Sequence, residues 1–403
     1  MIKNDLCISC GICEAVCPKK AIEMKKINYD YLPIANLEAC SKCGLCNIVC
    51  PQKQKYDYNE QKPFEQQVLG NYKSILSVKS KDKELLIQCA SGGVITTLIK
   101  ACLKDDLYDC TFLLDDYSYN IQLQMKYFDK KSNFSKTPKS RYLTVSHKNT
   151  CEFMEKNPDK KIIIVGTGCA INGILKFIEI KNLKRENYLF LGLFCEKTMN
   201  YAIVKYFQEM SKKIKRKIPQ NIYFKSKYAG GWPGNVRFEY EDKTYIDLDK
   251  KRRMEVKDYF VPECCLYCLN KVNKNADIST GDNYIKTLED IEGKSSVLIR
   301  TELGNSVFTR YKELFEVLPE NEKTFLDSVK LEYKRDNLEF AKIKGLISGT
   351  PEQGFPEKYK TIMQKRAKGN SKNLYKAVTK DLSGRNSKKT FISQIKKFIF
   401  RLN

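Results

Sequence analysis

Two stretches, CISCGICEAVCP over Cys7–Pro18 and CSKCGLCNIVCP over Cys40–Pro51, repeat one pattern: three cysteines at two-residue intervals, a fourth after three more residues, then proline. Three thiolates so spaced wrap a tight loop around one 4Fe–4S cube, while the cysteine before proline reaches the neighbouring cube, so the two ligand sets cross. The spacing assigns Cys7, Cys10, Cys13 and Cys50 to one cluster and Cys40, Cys43, Cys46 and Cys17 to the other. Gly11 and Gly44 leave room for the turn. Paired zinc knuckles are the competing reading, but zinc sites want four ligands and seldom continue into a third two-residue step followed by x3-Cys-Pro. A disulfide framework fits less well: Met1 leads almost directly into the first loop with no secretory signal, and reduced thiols imply a cytosolic setting.

At 403 residues the chain exceeds the usual size of a single core. The division expected is a small bacterial-type ferredoxin domain over residues 1–58, a connection over 59–80, a larger α/β domain over 81–345 and a basic helical tail over 346–403, so that the class is α/β, or α+β for the whole chain. No apolar run is long enough to span a bilayer, which implies a cytoplasmic protein, at most peripheral to the inner face of the membrane. The formal charge of +24 raises nucleic-acid binding. Each cube with its four thiolates carries about −2, however, so three such sites would bring the balance to about +18. The remaining excess is spread along the chain, like a composition bias rather than a binding stripe, and nucleic acid is not expected as a partner. With one histidine, His147, mechanisms that lean on imidazole as base are poor fits. His147 itself reads as a surface or loop residue.

Beyond the connection, strand and helix signals alternate. In KIIIVGTGCAINGILKFIEI the spacing predicts a strand over Ile162–Val165, a turn over Gly166–Gly168 and a helix over Ile171–Ile180. A second strand over Tyr188–Phe194 and a helix over Met199–Met210 follow. This alternation is the signature of parallel βαβ units, and it sets Cys169 and Cys195 just past the carboxyl ends of two strands, where ligands of open α/β sheets bind. A further pair, Cys265 and Cys268, lies in VPECCLYCLN. Cys169, Cys195, Cys265 and Cys268 together make four ligands for a third 4Fe–4S cluster, with Cys264 able to replace Cys265 if the loop register differs. The bland alternative is that these are buried structural cysteines.

CASGGVITTLIKACL carries another device. Ser91 reads as an N-cap, Gly92 and Gly93 let backbone N–H groups approach a ligand, and an amphipathic helix follows, a pattern that attracts phosphate. Clusters move single electrons while most organic substrates take two, so a flavin dinucleotide, FAD, is the natural ligand. At the far end, TFISQIKKFIFRLN sets Ile392, Ile395, Phe398, Ile399 and Leu402 on one helical face and Lys396, Lys397 and Arg401 off it. Such a helix suits peripheral membrane contact, or docking onto its own domain or a partner.

Several segments from about Lys79 to about Phe315 together resemble the coenzyme F420 hydrogenase/dehydrogenase beta-subunit family: SGG at Ser91–Gly93, RYL at Arg141–Leu143, VGTGCAINGILKF at Val165–Phe177, LFC at Leu193–Cys195, GGW at Gly230–Trp232, the pair at Cys265, and ADISTGD at Ala276–Asp282. The resemblance implies an α/β core with FAD beside a 4Fe–4S cluster, joined in many members to a two-cluster domain. It carries Ser91, Gly92, Gly93, Gly281 and Asp282 over as flavin contacts and sets the Trp232 loop near the flavin or its substrate. Members usually show Pro-Cys-Gln where this chain has Gly168-Cys169-Ala170, Cys-His-Gly where it has Cys195-Glu196-Lys197, and aromatic-Trp-Gly where it has Asn283-Tyr284-Ile285. These departures make coenzyme F420 itself a doubtful substrate, and similar proteins also occur among surface-polysaccharide enzymes.

The expected function is that of a cytoplasmic iron–sulfur flavoprotein oxidoreductase. It would pass electrons between a ferredoxin or other electron carrier and a small-molecule substrate, with Glu196 as a proton donor whose pKa burial raises. The rival is a non-catalytic electron-transfer subunit of a larger redox complex.

Overall fold

The computed structural model describes residues 6–53, 58–285, 288 and 290–383. Each cysteine run turns into a short helix, Ile12–Val16 and Leu45–Ile48, whose N-cap glycines Gly11 and Gly44 hold φ of 69° and 78°. Any residue with a Cβ is strained there. At Gly11 a Cβ would also stand 2.5 Å from Ser146 Oγ, whereas nothing crowds Gly44. An antiparallel hairpin, Ile22–Ile27 with Asp30–Ala35, joins the two halves of this ferredoxin-like module.

The larger domain is built on a mixed eight-stranded sheet in the order Phe315–Pro319, Ser74–Ser80, Ser295–Ile299, Ile278–Asp282, Tyr188–Leu193, Ile162–Thr167, Cys110–Leu113 and Lys126–Phe128. Ile162–Thr167 and Tyr188–Leu193 pair in parallel near its middle. Their continuous apolar runs reflect burial on both faces. Ile162, Ile164 and Phe190 pack with helix Gly168–Ile180 and with Ile12, Val16 and Val49 of the cysteine module. On the other face Ile163, Val165, Leu189 and Leu191 meet helices Val94–Lys104 and Glu302–Arg310. The strand expected at Ile162 thus extends to Thr167, and its helix starts directly at Gly168. The helix expected from Met199 runs instead from Ala202 to Lys215. It packs on a separate three-stranded sheet, Asn221–Ser226, Asn235–Glu239 and Tyr245–Leu248.

The cysteine module is seated firmly on this domain. A Cβ on Gly173 would lie 2.7 Å from Ile12 Cδ1 and 3.2 Å from the Val49 carbonyl oxygen, so helix Gly168–Ile180 approaches the module through a glycine. Gln122 Nε2 donates to the Ser9 carbonyl (2.7 Å), the His147 backbone N–H donates to the Cys10 carbonyl (2.8 Å), and Lys148 pairs with Glu14 (2.8 Å). His147 is therefore not a surface residue: it is buried at this junction, where burial pushes its imidazole down to about 4.

Two parts of the expected division change. Residues 59–80 are not a free connection, because they include helix Phe64–Leu69 and a strand, Ser74–Ser80, held between two others in the sheet. The Arg300 guanidinium also fastens this stretch by donating to the carbonyls of Leu69 and Asn71. In the tail, helices Phe355–Gly369 and Leu374–Ser383 dock onto the large domain. Arg366 Nε donates to the Val261 carbonyl, and a Cβ on Gly369 would stand 1.9 Å from the Tyr259 carbonyl oxygen. The amphipathic stretch from Thr390 lies outside the described residues. Among the described residues no helix is long and apolar enough to cross a membrane.

Candidate electron-transfer and cofactor site

Helix Ile12–Val16 and the end of the second run enclose a small cavity lined by Cys7, Cys10, Cys13 and Cys50, with Ile8, Ile12, Met24 and Val49 completing the wall. Burial, followed by the neighbouring thiols, pushes these sulfurs up, Cys7 to about 12. In the second group Cys46 stands near Cys43 and Cys17. The two groups differ in access: Cys13 and Cys50 are buried, whereas Cys43 is exposed. Cys13 also faces Cys46, so the groups adjoin. Empty, the four sulfurs stay protonated; as thiolates facing one another in an apolar wall they form a donor set that a bound cationic centre would stabilise, which fits a cube. Among the described residues no three His, Cys, Asp or Glu side chains close around a single ion; a cube holds its thiolates farther apart than one ion does.

The third group forms where a loop crosses the carboxyl edge of the sheet. Gly168 and Gly192 admit that loop: a Cβ on Gly168 would lie 2.4 Å from Asn270 Nδ2, and one on Gly192 2.6 Å from Ala276 Cβ. Asn273 Nδ2 donates to the Gly166 carbonyl at 2.9 Å, and the Cys195 N–H donates to the Lys271 carbonyl at 2.8 Å. The result faces Cys169, Cys195, Cys265 and Cys268 toward one another, each near enough for its charge to act on the others. Cys264 sits between this group and the amino-terminal run, its thiol within hydrogen-bond reach of Cys265. Its thiol is fully buried, 3.7 Å from the Cys7 carbonyl oxygen, which accepts from it.

Helix Glu332–Ile343 closes the group from outside. Asn337 Nδ2 donates to the carbonyls of Cys265 (3.0 Å) and Cys268 (2.7 Å), and Lys334, fully buried, donates from Nζ to the Glu196 carbonyl at 3.0 Å. Glu196 does not suit the role expected of it. Burial would raise its pKa, but Lys334, Lys271 and Lys197 hold the carboxyl below the ordinary range, with Lys271 Nζ 2.7 Å from Oε2. Near neutral pH it is an anion and carries no proton to give.

The residues expected to contact a flavin gather at the same edge. Helix Val94–Lys104 begins after Gly93 in the left-handed region (φ 76°), so Gly93 takes the N-cap place expected of Ser91, whose hydroxyl donates instead to the Lys294 carbonyl. The Gly92 N–H donates to Ser295 Oγ, and a Cβ there would meet the Val78 carbonyl oxygen at 2.4 Å. Gly281 is required by Phe194, which a Cβ would meet at 2.4 Å. Ser91, Gly92 and Gly281 therefore hold the edge together through contacts within the protein. Asp282 pairs with buried Lys225 and accepts from Trp232 Nε1 (3.2 Å) and the Tyr284 hydroxyl (3.0 Å). The Trp232 and Tyr284 rings lie 5.1 Å apart.

Sequence reasoning missed two cations here. Lys227 donates to the Ser91 carbonyl at 3.0 Å, and Lys139 lies over the rings of Tyr223 and Tyr228. Burial pushes both down to about 8, and among the described residues neither has a carboxylate at ion-pair distance. One buried and one half-buried ammonium group beside a helix start fit a dianionic ligand such as a dinucleotide diphosphate. Lys227, just before the GGW loop, was within reach of the motif; Lys139 and Lys334, in ordinary polar stretches, left no signal.

Fold and site together define an iron–sulfur electron-transfer protein with a mixed α/β larger domain. Residues 6–54 match the family described as 4Fe-4S dicluster domain, and residues 159–323 match the family described as the C terminus of the coenzyme F420 hydrogenase/dehydrogenase beta subunit. A match to a dicluster domain thus precedes a match to the C-terminal module of that beta-subunit family. Among curated relatives, a subunit of the F(420)H(2) dehydrogenase of Methanosarcina mazei is 25% identical over 79% of this chain and 86% of its own length. The beta subunit of the coenzyme F420 hydrogenase of Methanococcus voltae is 24% identical over 60% and 82%. A chain of the F420-reducing NiFe hydrogenase complex from Methanosarcina barkeri shares the fold, with a TM-score of 0.51 and 21% identity over 70% of this chain and 93% of that one.

Proposed function

We propose that this protein is an oxidoreductase module joining a one-electron carrier to a two-electron small-molecule substrate. The observation that carries the reading is the arrangement of its thiols. They begin at exposed Cys43, continue through the buried group of Cys7, Cys10, Cys13 and Cys50, meet Cys264 at the Cys7 carbonyl, and end at Cys169, Cys195, Cys265 and Cys268 on the sheet edge that also bears Asp282 and Trp232. The three cysteine sets would each hold a 4Fe–4S cluster, with Cys265 rather than Cys264 in the third. Lys139 and Lys227 would hold the diphosphate of FAD beside Ser91–Gly93. Bound there, the clusters would supply single-electron transfer and the flavin its pairing into two-electron chemistry. The chain's own part is to keep the inner thiols dry, to hold the loop of Cys265 and Cys268 through Asn337, and to fix Trp232 and Tyr284 through Asp282 at the edge where a substrate would lie. Coenzyme F420 remains the doubtful substrate, because Asn283-Tyr284-Ile285 replaces the aromatic-Trp-Gly of other members; a surface-polysaccharide precursor is the other class considered.

Anaerobic purification with iron, sulfide and flavin quantified tests this. About twelve irons and one FAD per chain are expected; about eight irons and no flavin would leave only the amino-terminal relay. A second reading, an electron-transfer subunit of a larger complex, is favoured by the relatives named as subunits and by the structural neighbour from a hydrogenase complex. Turnover of a dye by the isolated chain would count against it.

A further inference from the structure

We propose that Lys334 is the charge that sets the reduction potential of the inner cluster site made by Cys169, Cys195, Cys265 and Cys268, acting as a positioning residue rather than a ligand. The inference rests on the third-cluster reading. Lys334 is 0% exposed and lies in the first turn of helix Glu332–Ile343. Both features are unfavourable to a lysine: burial removes the ammonium from water, and the first turn of a helix already carries partial positive charge. Its hydrogen bond goes to the neutral Glu196 carbonyl oxygen at 3.0 Å; the Glu196 carboxylate, which also acts on it through space, is ion-paired with Lys271 at 2.7 Å. Nearby Lys197 has Asp258 at 3.7 Å. What Lys334 faces, besides Glu196, is Cys268, Cys195 and Cys265. One turn further along, Asn337 ties the carbonyls of Cys265 and Cys268 to the same helix.

A buried ammonium in the first turn of a helix, acting on one group of thiols, suits a centre carrying net negative charge. A cube with four thiolates carries about −2 and gains one more unit on accepting an electron. A fixed cation at that spot favours the reduced form over the oxidised one and raises the potential of this cluster above what the same ligands would give alone. The outer sets have no buried cation of this kind among the described residues: the Lys148 ammonium near the first run is already paired with Glu14, and Lys53, near Cys50, is exposed to water. The inner site would thus be the low-energy end for an electron entering at Cys43.

The test uses the full chain purified anaerobically, as wild type, Lys334→Met, Lys334→Gln and Lys334→Arg. Iron per chain is measured, and each cluster is titrated with dithionite and mediators while its electron paramagnetic resonance signal is followed. The neutral variants are expected to keep the iron content and to lower the reduction equilibrium of the inner cluster at least tenfold, about 59 mV for one electron. The two outer clusters should not move, and Lys334→Arg should recover most of the shift. An inner potential unmoved in both neutral variants, or an equal shift in all three clusters, overturns the proposal. Loss of the inner iron from both neutral variants overturns it too, since Lys334 would then be structural. Wild-type protein with about eight irons fails the third-cluster reading instead, which keeps the two failures distinct.

Discussion

The thiol of Cys264 lies 3.7 Å from the carbonyl oxygen of Cys7. This contact joins the loop bearing the third cysteine group to the first residue of the amino-terminal run, and it leaves Cys265, hydrogen-bonded to Cys264, as the thiol that acts on Cys195 and Cys268. Cys265→Ser should therefore cost about four irons per chain, whereas Cys264→Ser should keep about twelve. Iron analysis of the two variants decides it, and the reverse result would exchange their roles.

Gly173→Val should loosen the seat of the cysteine module. The added Cβ would press on Ile12 Cδ1 and the Val49 carbonyl, and overfilling a packed contact costs about 1–3 kcal/mol. A lowered unfolding midpoint with faster amide exchange over residues 6–53 is expected. Unchanged exchange there would mean that the junction has slack the structure does not show.

Asp282→Asn leaves the buried Lys225 ammonium without its partner, a change that typically costs about 3–5 kcal/mol. Replacing both, as Asp282→Leu with Lys225→Met, should recover much of that stability in denaturant melts while the flavin content stays low. Burial alone would raise the Asp282 pKa, but Lys225, aided by Trp232 and Tyr284, holds it below the ordinary carboxylate range. The stability it contributes is present above about pH 4 and is lost as pH falls through the depressed folded-state value.

Lys139 and Lys227 carry the opposite dependence. Burial holds both at about 8 in the folded chain, against about 10.4 when unfolded. Between those values the unfolded chain binds more protons, so the flavin-free protein should grow more stable as pH rises from about 8 to about 10. Urea midpoints across that window should show this slope, and saturating FAD should flatten it by stabilising both ammonium groups. A slope indifferent to FAD, yet abolished in Lys139→Met with Lys227→Met, would remove these lysines from the diphosphate site.

The spacing of the eight amino-terminal cysteines was legible because a cube is gripped by a short loop, and a short loop is written in consecutive residues. The same holds for Ile162–Thr167 and Tyr188–Leu193, whose apolar runs announce strands buried on both faces. Helix boundaries near Gly168 and Ala202 shifted by a few residues, since end positions depend on what packs there. The strand Ser74–Ser80 could not be separated from a connection, because its partners come from residues near 295 and 315. Glu196 was misjudged for a related reason: burial was foreseen, but the lysines that keep it ionised arrive from Lys271 and Lys334.

Local ligand geometry and apolar periodicity are properties of neighbours in the chain, so the order of residues alone was enough for the relay at the amino end, the α/β class and the list of thiols. Chain packing at a distance set the thiol of Cys264 on the Cys7 carbonyl, brought Lys334 to the inner thiols and put Lys139 within charge reach of Lys227, which bonds to Ser91. Each of those pairings closes a long loop. Its position is fixed by the packing of whole elements, which no local spacing encodes.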